Sequence, residues 1–518
     1  MAAWVGFVRF QFGDCQLHTD RRELRRGRDA VHIEPQVFDL LVYLVCNRDR
    51  VVSRDDLVAE VWGGRAVSES ALATRINAAR SAIGDNGRQQ RLIKTYWRKG
   101  IRFIGTVFHP DEQPTTPAVD LRNVRSHQKP SVAILPFATL SDDPTQRLVV
   151  AGLAEDIGDA LSQFSWLSVR VLGASLYAAT DLGGVTGARY LLEGSARTAK
   201  NGVRISARLV DAASGSHLWA HRFEGDLHDV FRLQDQLVEG VIGAIVPKLE
   251  LAEISRVEND EIEALDAYGC TLRGMGSLYR WTRVGIVDAL RMFRRAIEIE
   301  PAFAPAHAMA AYCYVQRQSY GWIADLQQEA AESAELARRA AALAQGDALT
   351  LTKSAHAIAA VSGDVDSGAL LIDQALLLNP YSARARYVSG WIKTWLGKPD
   401  LAIEDLAHAL RLSPFDPLSF KVSAAVGYAH FFAGRYDQAS QAAEAALSTR
   451  PNYLTGLRAA AAAHALAGRA DQAQKLMARM RQLDPKLRLS NLPDLLPFRR
   501  RQDFNKWADA LSKAGLPE

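Results

Sequence analysis

The stretch PQVFDLLVYLVCNRDRVVSRDDLVAEVWGGRAVSESALATRINAARSAIGDNGRQQRLIKTYWRKGIRF, residues 35–103, decides the fold of the N-terminal part of this chain. Val37, Leu40, Leu41, Leu44 and Val45 recur at spacings of three and four, which predicts an amphipathic helix. Ser53-Arg54-Asp55-Asp56 opens a short second helix, because the serine hydroxyl can accept an orphan backbone N–H. Trp62-Gly63-Gly64 ends it. Ser68 then opens a longer helix whose apolar stripe is Leu72, Ile76, Ala79 and Ile83. The opposite face is small and polar: Ser70, Thr74, Asn77, Ala78 and Ser81, with Arg75 and Arg80 on the flanks. Ile93 to Ile104 reads as strand, turn, strand, with Arg98 and Lys99 at the tip.

Outward from this stretch the texture changes three times. Upstream, Val8, Phe10, Phe12, Leu17, Val31 and Ile33 alternate with polar residues around Gly13-Asp14 and Gly27, which predicts a small antiparallel sheet. Residues 1–107 therefore form one domain. Residues 108–129 carry Pro110, Pro114 and Pro117 and little apolar pattern, as a linker does. Residues 130–250 are a middle α/β domain: a short apolar strand at Val132-Ala133-Ile134-Leu135, a helix near 146–164, three strands with hairpin signals at Asn201-Gly202 and Ser214-Gly215, and a closing helix.

Residues 262–518 are Ala-rich, helical and repetitive. Pro380, Pro414, Pro451 and Pro485 end similar segments at intervals of 34, 37 and 34 residues, and Pro301 lies 79 before the first. A period of about 34 is that of the tetratricopeptide helix–turn–helix. Gly390, Ala402, Leu406 and Ala409, then Gly427, Ala439 and Ala446, fall where two close helices need small or apolar side chains. Five or six repeats are expected, capped by a helix at Phe504–Ala514. The fold class is multidomain α+β, ending in an all-α solenoid.

Composition excludes several function classes. The net charge of +4 is unremarkable, but residues 1–109 hold 18 Lys/Arg against 12 Asp/Glu, so the positive excess is N-terminal. Cys15, Cys46, Cys270 and Cys313 form no C-x-x-C pair, which predicts free thiols in a reducing compartment. No apolar run approaches the ~20 residues of a membrane span, so a cytoplasmic protein with no membrane association is expected. No phosphate loop, dinucleotide fingerprint, H-E-x-x-H or G-x-S-x-G motif is present. No enzyme, cofactor or metal site is expected, and the carboxylate pairs Asp142-Asp143 and Glu155-Asp156 read as solvated or capping groups.

Residues 34–105 resemble the OmpR/PhoB-type winged helix–turn–helix domain. The resemblance rests on Leu40, Leu41, Leu44, the turn Val51–Leu57, Val61-Trp62-Gly63, Leu72, Ile76, Arg80, Ile83 and the wing Ile93-Lys94-Thr95 to Phe103. Two departures are Ala79, where the family usually has leucine, and Trp97 in the wing. Residues 130–245 are similar to the TolB-amino-terminal-like domain through Val132–Phe137, Gly152–Asp156, Tyr190–Ser195 and His217–Ala220. Together the blocks resemble CadC-like, ToxR-related regulators without their membrane helix.

That resemblance implies a sequence-specific DNA-binding transcriptional regulator. It puts Ser70, Thr74, Arg75, Asn77 and Ala78 at the DNA, where an asparagine can pair with adenine and an arginine with guanine in the major groove. Arg80 reads as a phosphate clamp or an internal pair. Lys94 and Thr95 suit phosphates, and Arg98, Lys99 and Arg102 suit a narrow minor groove. The moderately basic helix implies modest affinity per site and binding as a homodimer or on tandem sites. The loop Gly63–Val67 is implied to touch RNA polymerase, and the repeats to bind a protein partner or a signal. The alternative is an interaction scaffold built on the repeats, with a degenerate winged helix.

Overall fold

The computed structural model describes residues 9–12, 15–19, 22–26, 29–31, 33–48, 50–62, 67–86, 90–96, 99–105, 129–139, 144–172, 187–199, 202–226, 230–414 and 416–518. The chain divides into two compact units, Met1–Leu121 and Arg122–Glu518. The expected linker thus falls almost wholly outside the described residues.

In the first unit, alternation upstream of residue 33 gives four short antiparallel strands in sequence order: β1 (Arg9–Phe12), β2 (Cys15–His18), β3 (Glu23–Arg26) and β4 (Asp29–Val31). Three helices follow: α1 (Pro35–Cys46), α2 (Arg54–Val61) and α3 (Glu69–Ala82). Proline suits the first turn of α1 because its missing N–H is one that no helix satisfies there. At α2 the predicted cap is a full reciprocal box, with Asp56 N donating to the Ser53 hydroxyl at 3.1 Å and Ser53 N donating to the Asp56 carboxylate at 3.0 Å. The hydroxyl of Ser68 likewise accepts from Ala71 N at the start of α3.

Strands β5 (Ile93–Tyr96) and β6 (Gly100–Phe103) pair antiparallel as the wing, Ile93 opposite Phe103 and Tyr96 opposite Gly100. Val52 bridges to Ile101 on the other edge of β6. Gly100 is required there: its φ is +134°, and a Cβ would stand 2.0 Å from the Val52 carbonyl oxygen. The core joins sheet, helices and wing through Phe12, Leu17, Leu40, Leu41, Leu44, Leu57, Ala79, Ile83 and Phe103. Each fully buried Leu or Phe contributes about 1.5–3 kcal/mol relative to exposure. The Phe12 and Phe103 rings meet edge to face, with centroids 5.0 Å apart.

The second unit opens with the α/β block. Its strands are β7 (Ser131–Ile134), β8 (Ala138–Thr139), β9 (Ser168–Val171), β10 (Tyr190–Ala199), β11 (Gly202–Asp211) and β12 (His217–Asp226). The sheet runs β12-β11-β10-β7-β9, with β7 parallel to both neighbours and the last three strands a meander. Val132 and Ile134 pack into the main core while Ala133 packs on the other face, which explains the unbroken apolar run in β7. Helices α4 (Pro144–Ser162) and α5 (Val230–Arg256) supply Leu153, Ile157, Val241 and Ile245 to that core. The turn after β11 is held by the Asp211 carboxylate, which accepts from Ala213 N and Ser214 N, and Gly215 takes φ +68°.

Six helix hairpins follow: α6 (Ala267–Leu278) with α7 (Arg283–Ile299), α8 (Ala304–Ser319) with α9 (Leu326–Leu343), α10 (Ala348–Ala360) with α11 (Val365–Leu378), α12 (Ala383–Trp395) with α13 (Pro399–Leu412), α14 (Ser419–Phe432) with α15 (Tyr436–Thr449), and α16 (Leu454–Leu466) with α17 (Ala470–Leu483). The long 301–380 interval resolves into two hairpins, the first with helices of 16 and 18 residues. Gly390 shows why the repeat uses small residues, since a Cβ there would lie 2.4 Å from Leu406 Cγ. Helix α18 (Arg501–Lys513) closes the stack, its Trp507 buried against Tyr428 and Phe498.

The α/β block and the solenoid share this unit, and α5 runs past the expected boundary at 250. Their junction is tight. Ser413 Oγ donates to the Gly243 carbonyl at 2.9 Å, and a Cβ on Gly243 would stand 1.4 Å from the Leu412 oxygen. Beside it Arg384 clasps the buried Glu250 carboxylate with two bonds. No helix among the described residues is long and apolar enough to cross a membrane.

Candidate nucleic-acid interface

Helix α3 is two-sided for a sequence reason. Leu72, Ala79 and Ile83 are buried and Ile76 half-buried, so 3.6-residue periodicity turns Ser70, Thr74, Asn77, Ala78 and Ser81 to the exterior, where all five are exposed. Four of these are expected site residues, and they form one continuous face. The Thr74 hydroxyl donates to the Ser70 carbonyl at 2.8 Å, and the Ser68 and Ser70 hydroxyls lie 3.1 Å apart. Within the described residues the Asn77 amide makes no hydrogen bond, which leaves its donor and acceptor pair uncommitted.

The flanking arginines are both engaged. Arg75 is half-buried and pairs with the Glu34 carboxylate, just before α1. Arg80 takes the internal role, one of the two expected for it: it is 6% exposed and turned toward the wing. Its Nε and Nη2 donate to the Ile93 carbonyl at 3.3 and 3.0 Å, and Nη2 donates to the Thr95 hydroxyl at 2.8 Å. Burial pulls its pKa below the usual arginine value, against the nearby Asp85 charge.

Asp85 completes this link and was not singled out from sequence. Its buried carboxylate accepts backbone N–H bonds from Asn86 (2.8 Å), Arg91 (2.9 Å), Leu92 and Ile93 (3.0 Å each). Burial pushes its pKa up, but these bonds to the ionised form outweigh it, and the carboxyl sits below the usual range. An aspartate just after the helix-ending Ile83-Gly84 is a turn signal, yet nothing local announces four amides from the far side of a loop. Glu34 gave no signal beyond its place before Pro35.

On the wing, Lys94 and Lys99 are exposed, with the Lys94 ammonium 5.6 Å from the Tyr96 ring centre. Thr95 is exposed, its N–H bound to Gln90 Oε1 and its hydroxyl accepting from Arg80. Arg102 is half-buried and donates from Nε to the Arg48 carbonyl at 2.8 Å. Arg98 and Trp97 lie outside the described residues, as does Gly63–Ala66 of the loop before α3. The site is a small polar helix face beside a hairpin edge bearing two exposed lysines. Such a face suits hydrogen bonding to base edges, and the lysines suit phosphates.

Residues 27–103 match the family described as "Transcriptional regulatory protein, C terminal". Residues 27–103 thus carry an OmpR/PhoB-like DNA-binding domain of the kind found in transcriptional regulators. Over a longer span the chain is similar to the transcriptional regulator HilA of Salmonella typhi, with 26% identity over 420 residues that cover 79% of this chain and 71% of that one. A shorter stretch of 186 residues is 37% identical to a putative adenylate cyclase 3 of Rhizobium meliloti (strain 1021), covering 35% of this chain and 32% of that protein. The chain thus spans about a third of the cyclase relative's length. Among solved structures, Pseudomonas aeruginosa pilF superposes on 47% of this chain and 96% of its own at 19% identity, with a TM-score of 0.31.

Proposed function

We propose that this protein is a sequence-specific regulator that reads promoter DNA with α3 in the major groove and its wing against phosphates or the minor groove. The observation that carries the reading is the exposed face Ser70-Thr74-Asn77-Ala78, held opposite an apolar stripe packed on the core and next to the wing. Asn77 is the leading base-reading residue because its amide is uncommitted. Arg75 contacts DNA only when its pair with Glu34 opens, so it acts after encounter. Lys94, Thr95, Arg98, Lys99 and Arg102 belong to the phosphate and groove contacts. Two such modules on adjacent half-sites, as a homodimer, offset the modest charge of each.

The second unit receives the input. Its α/β block, which resembles the TolB-amino-terminal-like domain in a CadC-like arrangement, is fixed against the repeats, and the repeats bind a protein or a signal. The loop Gly63–Val67 is assigned to RNA polymerase on resemblance alone. A salt titration of promoter-fragment binding tests the reading. Each neutralised phosphate contributes a slope of about −0.9 in log affinity against log salt. A steep slope together with sequence preference lost in Asn77→Ala supports it. Salt-insensitive or absent binding favours the scaffold alternative, a reading that the internal engagement of Arg75, Arg80 and Arg102 keeps in play.

A further inference from the structure

Strand β12 (His217–Asp226) ends the sheet on the side away from β9, and its outer edge pairs with no strand among the described residues. Nor does any described loop backbone bond to it. Ten residues make a long open edge, and HLWAHRFEGD holds neither the proline nor the lysine that commonly blunts one. The opposite end of the sheet, β9, offers only four residues. Pairing of β12 with β11 slips once, between Leu209 and Val210, and is regular from Trp219 to Asp226. On the inner face Trp219 and Phe223 pack on the core, and the Phe223 ring lies against Gly240 of α5, where a Cβ would stand 2.8 Å from Cε1. The core thus holds the strand in shape while its outer backbone N–H and C=O groups have no ladder partner among the described residues.

The other face of β12 carries opposite charges two residues apart. Successive side chains alternate between faces, so Arg222 and Glu224 lie on the side away from Trp219 and Phe223, and both are exposed. Glu224 pairs with Arg204 across the ladder at 2.7 Å. Arg222 stands opposite Ser206 and has no hydrogen bond or ion pair among the described residues. An antiparallel copy of this strand, related by a two-fold axis at Phe223, sets Arg222 against Glu224 twice. Opposite charges directly across a ladder stabilise it, and like charges destabilise it. An axis at Arg222 or at Glu224 would set that residue against itself. An axis at His221 leaves the two charges opposite Ala220 and Leu218. The strand is self-complementary in the Phe223 register, which falls within its regular stretch.

We propose that β12 is the edge through which two copies of this chain join, antiparallel about a two-fold axis at Phe223, into one sheet continuous across the dimer. This rests on the homodimeric reading of the protein and supplies its interface, but it is tested apart from DNA. Full-length protein is followed by sedimentation velocity over a wide concentration range, and a concentration-dependent dimer is expected. Arg222→Glu turns both attractive pairs into repulsive ones, so it should weaken the dimer by about tenfold or more. Its circular dichroism should be unchanged, because Arg222 is exposed and unpaired. Register is read by disulfide trapping. Arg222→Cys and Glu224→Cys proteins, mixed and oxidised, should form an interchain 222–224 disulfide, since residues directly opposite lie within disulfide reach. Either variant alone should not link at that position, because its two cysteines are offset by two residues, roughly 7 Å along the strand. Peptide mass spectrometry separates this link from any through the native thiols. A protein that stays monomeric throughout overturns the proposal. So does a dimer of unchanged affinity in folded Arg222→Glu, or a disulfide formed equally well by the single variants. Binding of the same proteins to a single promoter half-site is scored separately, so DNA reading and strand pairing can fail independently.

Discussion

Arg80 donates two hydrogen bonds to the carbonyl of Ile93, at 3.0 and 3.3 Å, and thereby fixes the end of α3 against the first strand of the wing. In the proposed reading, helix and hairpin then meet a duplex in one set geometry. Arg80→Met keeps the apolar stem and leaves the carbonyl unpaired, which costs about 1–3 kcal/mol. Promoter affinity should fall to a similar degree on cognate and unrelated DNA, since no base contact is removed. A selective loss on the cognate site, in competition binding with both DNAs, would return Arg80 to the interface.

Asp85 supplies the pH dependence of that link. Its folded pKa lies below the unfolded value, so its stabilisation is fully present above the unfolded pKa near ~4 and lost as pH falls through the lower folded value. Asp85→Asn should destabilise the first unit by about 1–3 kcal/mol at neutral pH and less at acid pH. Amide exchange of residues 91–103 between pH 3 and 7 checks this. Equal protection in both proteins at neutral pH would contradict it.

Glu34 restrains the arginine that flanks the proposed reading face. Glu34→Gln removes one negative charge beside the proposed DNA-facing surface and frees the Arg75 guanidinium. Affinity should rise severalfold, with a salt slope steeper by about one if Arg75 moves to a phosphate. The double variant with Arg75→Ala should lose that steepening. Fluorescence anisotropy at several salt concentrations measures both.

Asn77→Ala should cost about 1–3 kcal/mol on the cognate promoter and relax sequence preference at one position. Thermal stability should stay within about 0.5 kcal/mol, because the side chain is exposed and unbonded. Binding-site selection from randomised DNA reads the preference. An unchanged selected motif would remove Asn77 from base reading.

Gly243 marks the closest approach of α5 to the repeats. A methyl group there meets the Leu412 carbonyl, and that backbone atom can move only with its helix. Gly243→Ala should destabilise the second unit by about 1–3 kcal/mol or more and leave promoter binding by the first unit intact. Differential scanning calorimetry and the anisotropy assay separate the two effects.

The elements that were legible in sequence are those encoded by neighbours along the chain. The Ser53 cap, the stripe Leu72-Ile76-Ala79-Ile83, the pairing of β5 with β6 and the small residue at Gly390 each follow from local spacing. So does the exterior position of Ser70, Thr74, Asn77 and Ala78, since a known inward stripe fixes the opposite face. Which of its two expected roles Arg80 takes is not legible there, for the complementary reason. A flanking arginine is long enough to turn either way, and the acceptors that claim it belong to Ile93 and Thr95, 13 and 15 residues on.

By itself, then, the sequence determined the helices, the wing, the repeat period and the exposed polar face of α3, because periodicity and capping act over a few residues. Only the tertiary structure decided which charges remain free to act. It spent Arg80 on Ile93 and paired Arg75 with Glu34. Long side chains choose partners by distance in space, and those distances exist only after α3 meets the wing and the first repeats stack.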